Sequence, residues 1–319
     1  MTRTLAAVLL ALAAPVALAQ AWPSKPVRVM VPFPPGGSTD IVARIVAQKL
    51  GERLGQPMVI ENRGGAGGAL GTAQVAKAAP DGYSLTVATT STHVVAPSVY
   101  ARLDYDPVKD FTPVGLMAVT SYLLVIHPSV PAKNLQEFVA LAKAKPGQFN
   151  YASAGVGSTT HLSMEMLKSV SGTFMLHIPY NGNGPAGAAT VGGQVEALFG
   201  SLPALLGHAR GGRVRPIAVG TLKRSPSLPE VPTVAESGYP GFDASLWLAL
   251  MGPAGLPQAV VDRLNRDLVA VVTAADTRSA LDKAGAEPLT GTPAELAAMV
   301  RDGVPKYAKI VKTAGVKPE

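Results

Sequence analysis

Short apolar runs alternate with longer amphipathic stretches along most of this chain, and this alternation constrains the fold more than any other feature. The runs occupy residues 27–31, 58–62, 84–90, 149–153, 175–180, 196–200 and 215–220. The stretches between them repeat apolar residues at helical spacing, as Val42, Val46 and Leu50 do. Because strands that alternate with helices form parallel sheets with crossover helices, the sequence predicts an α/β fold.

Two apolar segments break this alternation. Residues 115–129 are too long for an ordinary strand and too rich in Val, Tyr and Thr for a helix, and residues 244–253 form a similar run further along. We interpret both as extended segments that cross between two lobes. The predicted first lobe is residues 22–122 plus 248–319, with a helical tail from residue 258, and the predicted second lobe is residues 123–247.

Each lobe is expected to be a mostly parallel sheet flanked by helices, with a ligand cleft between the lobes. Two such lobes and two crossover segments make the type II-like fold of periplasmic binding proteins, which close on a ligand by hinge motion. Some enzymes share this layout, so the fold alone does not decide the function.

The N-terminus is typical of a secretory signal peptide. Arg3 precedes an apolar stretch at residues 5–12, and small residues lead to an expected cleavage site near Ala19 to Ala21. The apolar core is short for a membrane anchor, and no later stretch reaches the roughly 20 apolar residues of a membrane span. We therefore expect residues 1–21 to be removed and the mature protein to be soluble and exported.

Composition excludes several partners and cofactors. The chain has no cysteine, so neither disulfides nor cysteine-bound metals are expected. The formal net charge is +7, but the basic residues are scattered and few aromatic residues lie beside them, which argues against a nucleic-acid partner. Small acidic solutes are the better expectation, bound by a monomer that needs no metal or cofactor.

The loops that follow the predicted strands carry the polar residues of interest. In open parallel sheets, ligands bind beyond the carboxyl ends of the strands, where loops lead into helix N-termini that attract anions. The loop at residues 32–40 reads PFPPGGSTD, and its counterpart in the second lobe, residues 153–161, reads SAGVGSTTH. Both combine glycines with hydroxyls at a helix start, which predicts two halves of an anion cradle. Further hydroxyls follow other strands at residues 89–92 and at Ser201.

Catalytic and cofactor interpretations have weaker support. His161 or His93 could act as a base beside a serine, but no G-x-S-x-G elbow or Ser-His-Asp order is legible, and packing or polar lining is the favoured role of both. The glycines of residues 65–71 are spaced G-x-G-x-x-x-G rather than as a dinucleotide fingerprint. Arg63 is either an anion partner or a surface charge.

Taken in order, these loops resemble the extracytoplasmic solute receptors of the tripartite tricarboxylate transporter family, also called Bug proteins. The matching segments are WPSKPVRVMVPFPPGGSTDIVAR, VIENRGGAGG, APDGY, YASAGVGSTTHL, IPYNGNGPA, GGQVEALF and VPTVAESGYPGF, followed by Trp247. The resemblance runs from Trp22 to the C-terminus. It implies a periplasmic receptor that captures a small carboxylated solute and delivers it to membrane permease subunits.

The resemblance also implies a set of ligand-binding residues. A ligand carboxylate would be held by Phe33, Gly36, Gly37, Ser38 and Thr39 in the first lobe and by Ser153, Gly155, Gly157, Ser158 and Thr159 in the second. The other end of the solute would meet residues 89–92, which include Thr89, Thr90 and Ser91, together with Tyr180, Asn181, Ser201 and Asp243. The sequence departs from the family pattern at Gly64, where proline is common, and near Asn181 or Asn183, where larger or basic residues are common.

Two alternatives remain open from the sequence. One is an exported hydrolase or isomerase that uses the same cleft, and the other is a sensory receptor that presents its closed form to a signalling partner. For the cradle itself, we expect that valine at Gly37 or Gly157 blocks the approach of the anion while the fold survives.

Overall fold

The structure is a computed structural model that describes residues 22–313 and 315–316; the predicted signal peptide, residues 1–21, lies outside them. The strands of this described part are β1 (Val27–Val31), β2 (Met58–Asn62), β3 (Ser84–Thr89), β4 (Phe111–Ile126), β5 (Asn150–Ser153), β6 (Leu176–Pro179), β7 (Ala197–Ser201), β8 (Arg215–Val219), β9 (Ser245–Pro253) and β10 (Ala286–Pro288). All seven predicted runs form strands, with bounds that differ from the prediction by at most one residue at either end.

The helices follow the strands as the alternation predicts. They are α1 (Ser38–Leu54), α2 (Ala69–Ala76), α3 (Ala96–Val99), α4 (Leu135–Ala144), α5 (Thr159–Ser171), α6 (Asn183–Val191), α7 (Leu202–Arg210), α8 (Gln258–Thr273), α9 (Ala275–Ala284) and α10 (Pro293–Thr313). A 3-10 turn, Ala66–Gly68, precedes α2, and a π-helical turn, Ser91–Val95, precedes α3. Among the described residues, no helix has both the length and the apolar character of a membrane span.

The strands form one mixed sheet in the order β2-β1-β3-β9-β4-β7-β5-β6, and β8 and β10 also pair with β4, outside this order. The outer strands are parallel, since β1 pairs with β2 and β3, and β5 pairs with β6 and β7. The central strands β4 and β9 pair antiparallel with their neighbours. The expected parallel pairing therefore holds away from the centre, where the chain reverses direction.

Strand β4 joins the two halves of the sheet. Its residues up to Ser121 pair with β9, and its residues from Tyr122 to Ile126 pair with β7. We call β1, β2, β3, β9 and β10 the first half and β5 to β8 the second half. Both segments that broke the alternation are thus extended strands, while the predicted lobe limits in the sequence stay a prediction.

The core forms where the helices cover the sheet. Val42, Val46 and Leu50 of α1 recur every fourth residue and are buried in the same apolar cluster as Val29 of β1. Helix α1 ends at Gly55, whose φ of 74° permits its amide to bond the carbonyl of Gly51. Burial of this stripe fixes the start of α1 at the carboxyl end of β1, and that start is where the candidate site lies.

Helix α4 begins with an Asn134 N-cap, three residues before Glu137, which is the spacing of a capping box. The Glu137 amide donates to the Asn134 side chain at 2.9 Å, and the Glu137 carboxylate accepts from the amide of Lys133. The start of this helix is therefore set by hydrogen bonds between residues that lie within four positions of one another in the sequence.

Candidate functional site

Two adjoining cavities lie where the loops of the two halves meet. The smaller has a volume of about 10 Å³ and the larger about 260 Å³, and Phe33 and Ala154 line both. The smaller is lined by Phe33, Gly37, Ser38, Thr39, Thr89, Ser91, Tyr122, Ala154, Ser158, Thr159, Thr160, Asn183 and Leu246. The larger is lined by Phe33, Gly65, Ala66, Gly67, Gly68, Tyr100, Ala154, Gly155, Val156, Pro179, Tyr180 and Asn181.

Three helices begin at the smaller cavity. The first residues of α1, α5 and α6 are Ser38, Thr159 and Asn183, and all three line it. A helix N-terminus carries unpaired amide donors and roughly half a positive charge. The three starts together make this cavity electropositive without a cationic side chain, which suits an anion.

The start of α1 lacks a side-chain cap and holds one hydroxyl that no group in the described part of the chain bonds. Gly37 precedes α1, so no side chain caps this helix. Ser38 is 1 % exposed, and its hydroxyl has no hydrogen-bond partner in the described part of the chain. A buried hydroxyl without a partner costs free energy, so a group that accepts from Ser38 would be stabilised here.

The start of α5 is capped and is tied to the opposite half. Ser158 accepts from the His161 amide at 3.3 Å and donates to the carbonyl of Gly155 at 2.6 Å. Across the cleft, the Ser91 hydroxyl lies 2.9 Å from the Thr159 hydroxyl and accepts from the Thr159 amide at 3.0 Å. Tyr122 of β4 also bonds the Thr159 hydroxyl. These bonds hold the two halves of the cavity together.

A second polar contact closes the outer side of the cleft. The Tyr100 hydroxyl donates to the carbonyl of Val156 at 2.7 Å, and the same two residues line the larger cavity. In the described part of the chain, no residue that lines either cavity carries a charged side chain. Any charge on a ligand would therefore be met by amides and hydroxyls.

Most of the predicted site residues meet at these cavities. The residues that line one or both are Phe33, Gly37, Ser38, Thr39, Thr89, Ser91, Gly155, Ser158, Thr159, Tyr180 and Asn181. They come from loops far apart in the sequence that follow β1, β3, β5 and β6. The structure thus brings the two predicted half-cradles to face each other, and their role in binding stays a prediction.

Six predicted residues do not line either cavity: Gly36, Thr90, Ser153, Gly157, Ser201 and Asp243. The Gly36 amide donates to Asp40, and the Thr90 hydroxyl accepts from the Trp247 amide at 3.1 Å. Ser153 bonds Nε2 of His177 at 2.6 Å behind the loop. The Ser201 hydroxyl is buried without a partner among the described residues, and Asp243 is exposed.

At Gly157 the backbone lies close to Val99 of the opposite half. Its φ is 71°, and a Cβ at this position would lie 2.4 Å from Cγ2 of Val99. Valine at Gly157 would therefore strain the backbone and collide with Val99 of α3, which contradicts the expectation that the fold survives. Gly37 has a φ of −84°, and its Cβ would make ordinary contacts with Cβ of Asn183 at 3.7 Å and the carbonyl oxygen of Pro34 at 4.0 Å, so there the expectation stays a prediction.

Sequence reasoning missed several lining residues, chiefly Tyr122, Asn183, Leu246, Tyr100 and the turn Ala66–Gly68. The glycine run and the N-G-N-G segment were visible signals of close backbone approach. Tyr122 and Leu246 lie within apolar strand segments, and nothing in their local sequence separates them from core residues.

The histidines considered as bases are packed away from both cavities. Burial lowers the pKa of His93 to about 3, and the ring contacts Phe111 edge-on with centroids 4.7 Å apart. Burial lowers the pKa of His161 to about 4, with a further contribution from Lys168, and its ring stacks on His177 at 4.0 Å. Both are held neutral in packed surroundings, which favours the packing role over general base catalysis.

Arg63 is also outside the two linings. It is exposed and donates to the side chain of Gln74. This position favours a surface charge over an anion partner. Among the described residues, no cluster of three or more His, Asp or Glu side chains has the arrangement of a metal site.

Comparisons with known proteins place this geometry in context. The profile of the tripartite tricarboxylate transporter family receptor matches residues 42–316. Protein BugT of Bordetella pertussis (strain Tohama I) is 38 % identical over 307 residues, which cover 96 % of this chain and 94 % of BugT.

Solved structures show the same fold. The periplasmic binding protein BugD has a TM-score of 0.90 at 37 % identity, covering 93 % of this chain and all of BugD. R. palustris Rpa4515, solved with adipate, has a TM-score of 0.91 at 36 % identity, covering 93 % of this chain and all of that protein. These likenesses confirm the predicted periplasmic-binding-protein fold.

Proposed function

The chain belongs to the tripartite tricarboxylate transporter receptor family, and on that premise we propose that it is a periplasmic receptor for a small organic anion. It binds the carboxylate of that solute between the two halves of the sheet and delivers the solute to membrane permease subunits. It has no catalytic role in this proposal.

One observation carries the proposal. Three helix starts converge on the smaller cavity, and the buried Ser38 hydroxyl there has no partner among the described residues. Free amides and an unpaired hydroxyl in a desolvated site stabilise a carboxylate by charge-assisted hydrogen bonds, which are about twice as strong as neutral ones. A volume of about 10 Å³ is close to that of one water-sized group, so one oxygen of the carboxylate enters here while the rest of the solute lies in the larger cavity.

The mechanism is closure of the two halves over the ligand. Bonds such as that between Ser91 and Thr159 cross the cleft and form only when the halves are together. A ligand that contacts both halves favours the closed state by its differential affinity for that state. Because the closed surface differs from the open one, a permease can recognise the loaded receptor.

The relative Rpa4515 of R. palustris was solved with adipate, which supports an aliphatic carboxylic acid as one class of solute for this chain. The larger cavity offers aromatic surfaces at Phe33, Tyr100 and Tyr180, so aromatic acids also belong in the test. No lining side chain among the described residues supplies a cation for a second carboxylate, and the backbone amides of Ala66 and Gly67 in the turn that lines the larger cavity are candidates for that role.

A thermal-shift panel followed by calorimetry tests the proposal. The panel contains citrate, succinate, adipate, glutamate and benzoate, with adipamide and benzamide as uncharged controls. A receptor gains about 2.7 kcal/mol of stability at a ligand concentration 100 times Kd, and mass spectrometry recovers the acid unchanged. Equal shifts with the amides, or no shift with any acid, would contradict the proposal, and consumption of an acid would favour the enzyme alternative.

A further inference from the structure

A polar network outside the cavity ties the two ends of the first-half loop together. Asn62, the last residue of β2, donates through Nδ2 to the carbonyl of Phe33 at 3.0 Å and to Oδ1 of Asp40 at 2.9 Å. Oδ2 of Asp40 accepts from the Gly36 amide at 3.0 Å. Asn62 therefore holds the Phe33 carbonyl and Asp40 holds the Gly36 amide, so both parts of the loop at the cavity are fixed in place.

The same network raises an electrostatic problem. Asp40 lies in the first turn of α1, and its side chain is only 5 % exposed. Burial alone would raise the pKa of this carboxyl, but hydrogen bonds from Arg44, Gly36 and Asn62 outweigh burial and lower it. Asp40 is thus an anion at the helix start where the proposed ligand carboxylate also binds, and like charges repel.

Arg44 lies one turn further along α1 and offsets this charge. Its Nε lies 3.0 Å from Oδ1 of Asp40, its terminal nitrogen lies 2.9 Å from the same oxygen, and that nitrogen also donates to Oδ1 of Asn62 at 2.9 Å. The guanidinium therefore neutralises Asp40 and orients Asn62 without lining either cavity.

We propose that Asp40, Asn62 and Arg44 act as one positioning unit: Asp40 and Asn62 set the shape of the loop, and Arg44 cancels the Asp40 charge so that an anion can bind at the same helix start. This inference rests on the proposed function, because the charge matters only if the ligand is an anion. None of the three residues lines either cavity, so each acts through the loop or through another side chain.

A double-mutant cycle at Arg44 and Asp40 tests whether Arg44 cancels the Asp40 charge. The assay is calorimetry with succinate and benzoate. Arg44→Met is expected to raise the Kd of succinate roughly tenfold, because the uncompensated Asp40 carboxylate then repels the anion at an effective dielectric constant of about 20. The Kd of benzoate, which carries one charge, rises less. Arg44→Lys keeps the charge and restores much of the affinity, and Asp40→Asn with Arg44→Met binds more tightly than Arg44→Met alone. A merely structural role predicts the opposite order for the double variant.

The matched control is Arg53→Met, at the other end of α1. Arg53 is 51 % exposed and Arg44 is 53 % exposed, and Arg53 likewise pairs with a buried aspartate, Asp267, at 3.3 Å. This control is expected to leave both affinities unchanged. If Arg44→Met and Arg53→Met have the same affinities, or if the double variant binds no better than Arg44→Met, the charge-cancelling role is wrong.

The loop-shaping part has a test that needs no ligand. Asp40→Ala removes the acceptor of the Gly36 amide, so hydrogen exchange in a peptide that spans residues 33–41 is expected to accelerate at least tenfold relative to Arg53→Met. Unchanged exchange would overturn this part. If the unsubstituted protein binds no acid in the panel, the proposed function and the charge-cancelling role fail together, and the exchange result still decides whether Asp40 shapes the loop.

Discussion

Ser38→Ala separates binding from folding at the candidate site, because the two effects have opposite signs. The buried Ser38 hydroxyl has no partner in the described part of the chain, and a buried unpaired polar group costs about 1–3 kcal/mol. Its removal is therefore expected to keep or raise the Tm of the ligand-free protein, by about 2 °C for each kcal/mol gained in a chain of this size.

The same substitution is expected to weaken binding. A hydrogen bond to a charged group contributes about 1.5–3 kcal/mol, which corresponds to a roughly 10- to 150-fold increase in Kd. The assay is calorimetry with the tightest acid of the panel, together with thermal melts of the protein with and without that acid. Substituted and unsubstituted proteins should differ in affinity while their ligand-free melts stay within a few degrees.

Thr277→Val provides the control. The Thr277 hydroxyl on α9 is also buried without a partner among the described residues, but Thr277 lines neither cavity. This nearly isosteric change should raise stability in the same way and leave the Kd unchanged. A Ser38→Ala variant that melts lower and binds with normal affinity would refute the argument that this hydroxyl is reserved for the ligand.

Further predictions concern the loops, the histidines and the core. Gly37→Val fills the smaller cavity and is expected to abolish binding with little change in Tm, whereas Gly37→Ala, whose Cβ would lie 3.7 Å from that of Asn183, keeps part of the affinity in the same calorimetric titration. Gly157→Val should lower Tm as well as affinity, because its Cβ would lie 2.4 Å from Val99; a normal melt would contradict this. Burial lowers the pKa of His161 to about 4, so the unfolded chain binds more protons as pH falls from 6.5 toward 4, and the unfolding free energy measured in urea should drop by a few kcal/mol over that interval rather than stay level. Leu50→Ala opens a cavity under α1 and should cost about 2–5 kcal/mol in urea unfolding, while the Kd of the folded protein is preserved.

Much of the fold was predictable because it follows from local patterns. The runs that became β1, β2 and β3 carry strand spacing, and the apolar stripe through Val42, Val46 and Leu50 carries helix spacing. The side chain of Asn134 starts α4 through a contact only three residues away. Such signals lie within a few residues of one another, so one sequence contains them in full.

The candidate site was predictable in outline, since glycines and hydroxyls at helix starts mark anion cradles wherever they occur. The identity of the lining was not. Tyr122 reaches Thr159 from the middle of an apolar strand, and a Cβ on Gly157 would lie 2.4 Å from Cγ2 of Val99. Both facts depend on which elements are neighbours in space, and local composition does not encode that.

By itself, then, the sequence determined the α/β elements, the caps and the loops that hold donors, because these follow from backbone preferences and short-range spacing. Only the tertiary structure decided which of those donors face one cavity, that the Ser38 hydroxyl has no partner among the described residues while the Gly36 amide donates to Asp40, and that Arg44 offsets the charge beside it. The physical reason is that burial and pairing are properties of surroundings: Ser91 and Thr159 lie 68 residues apart in the chain and bond only because two halves of a sheet meet.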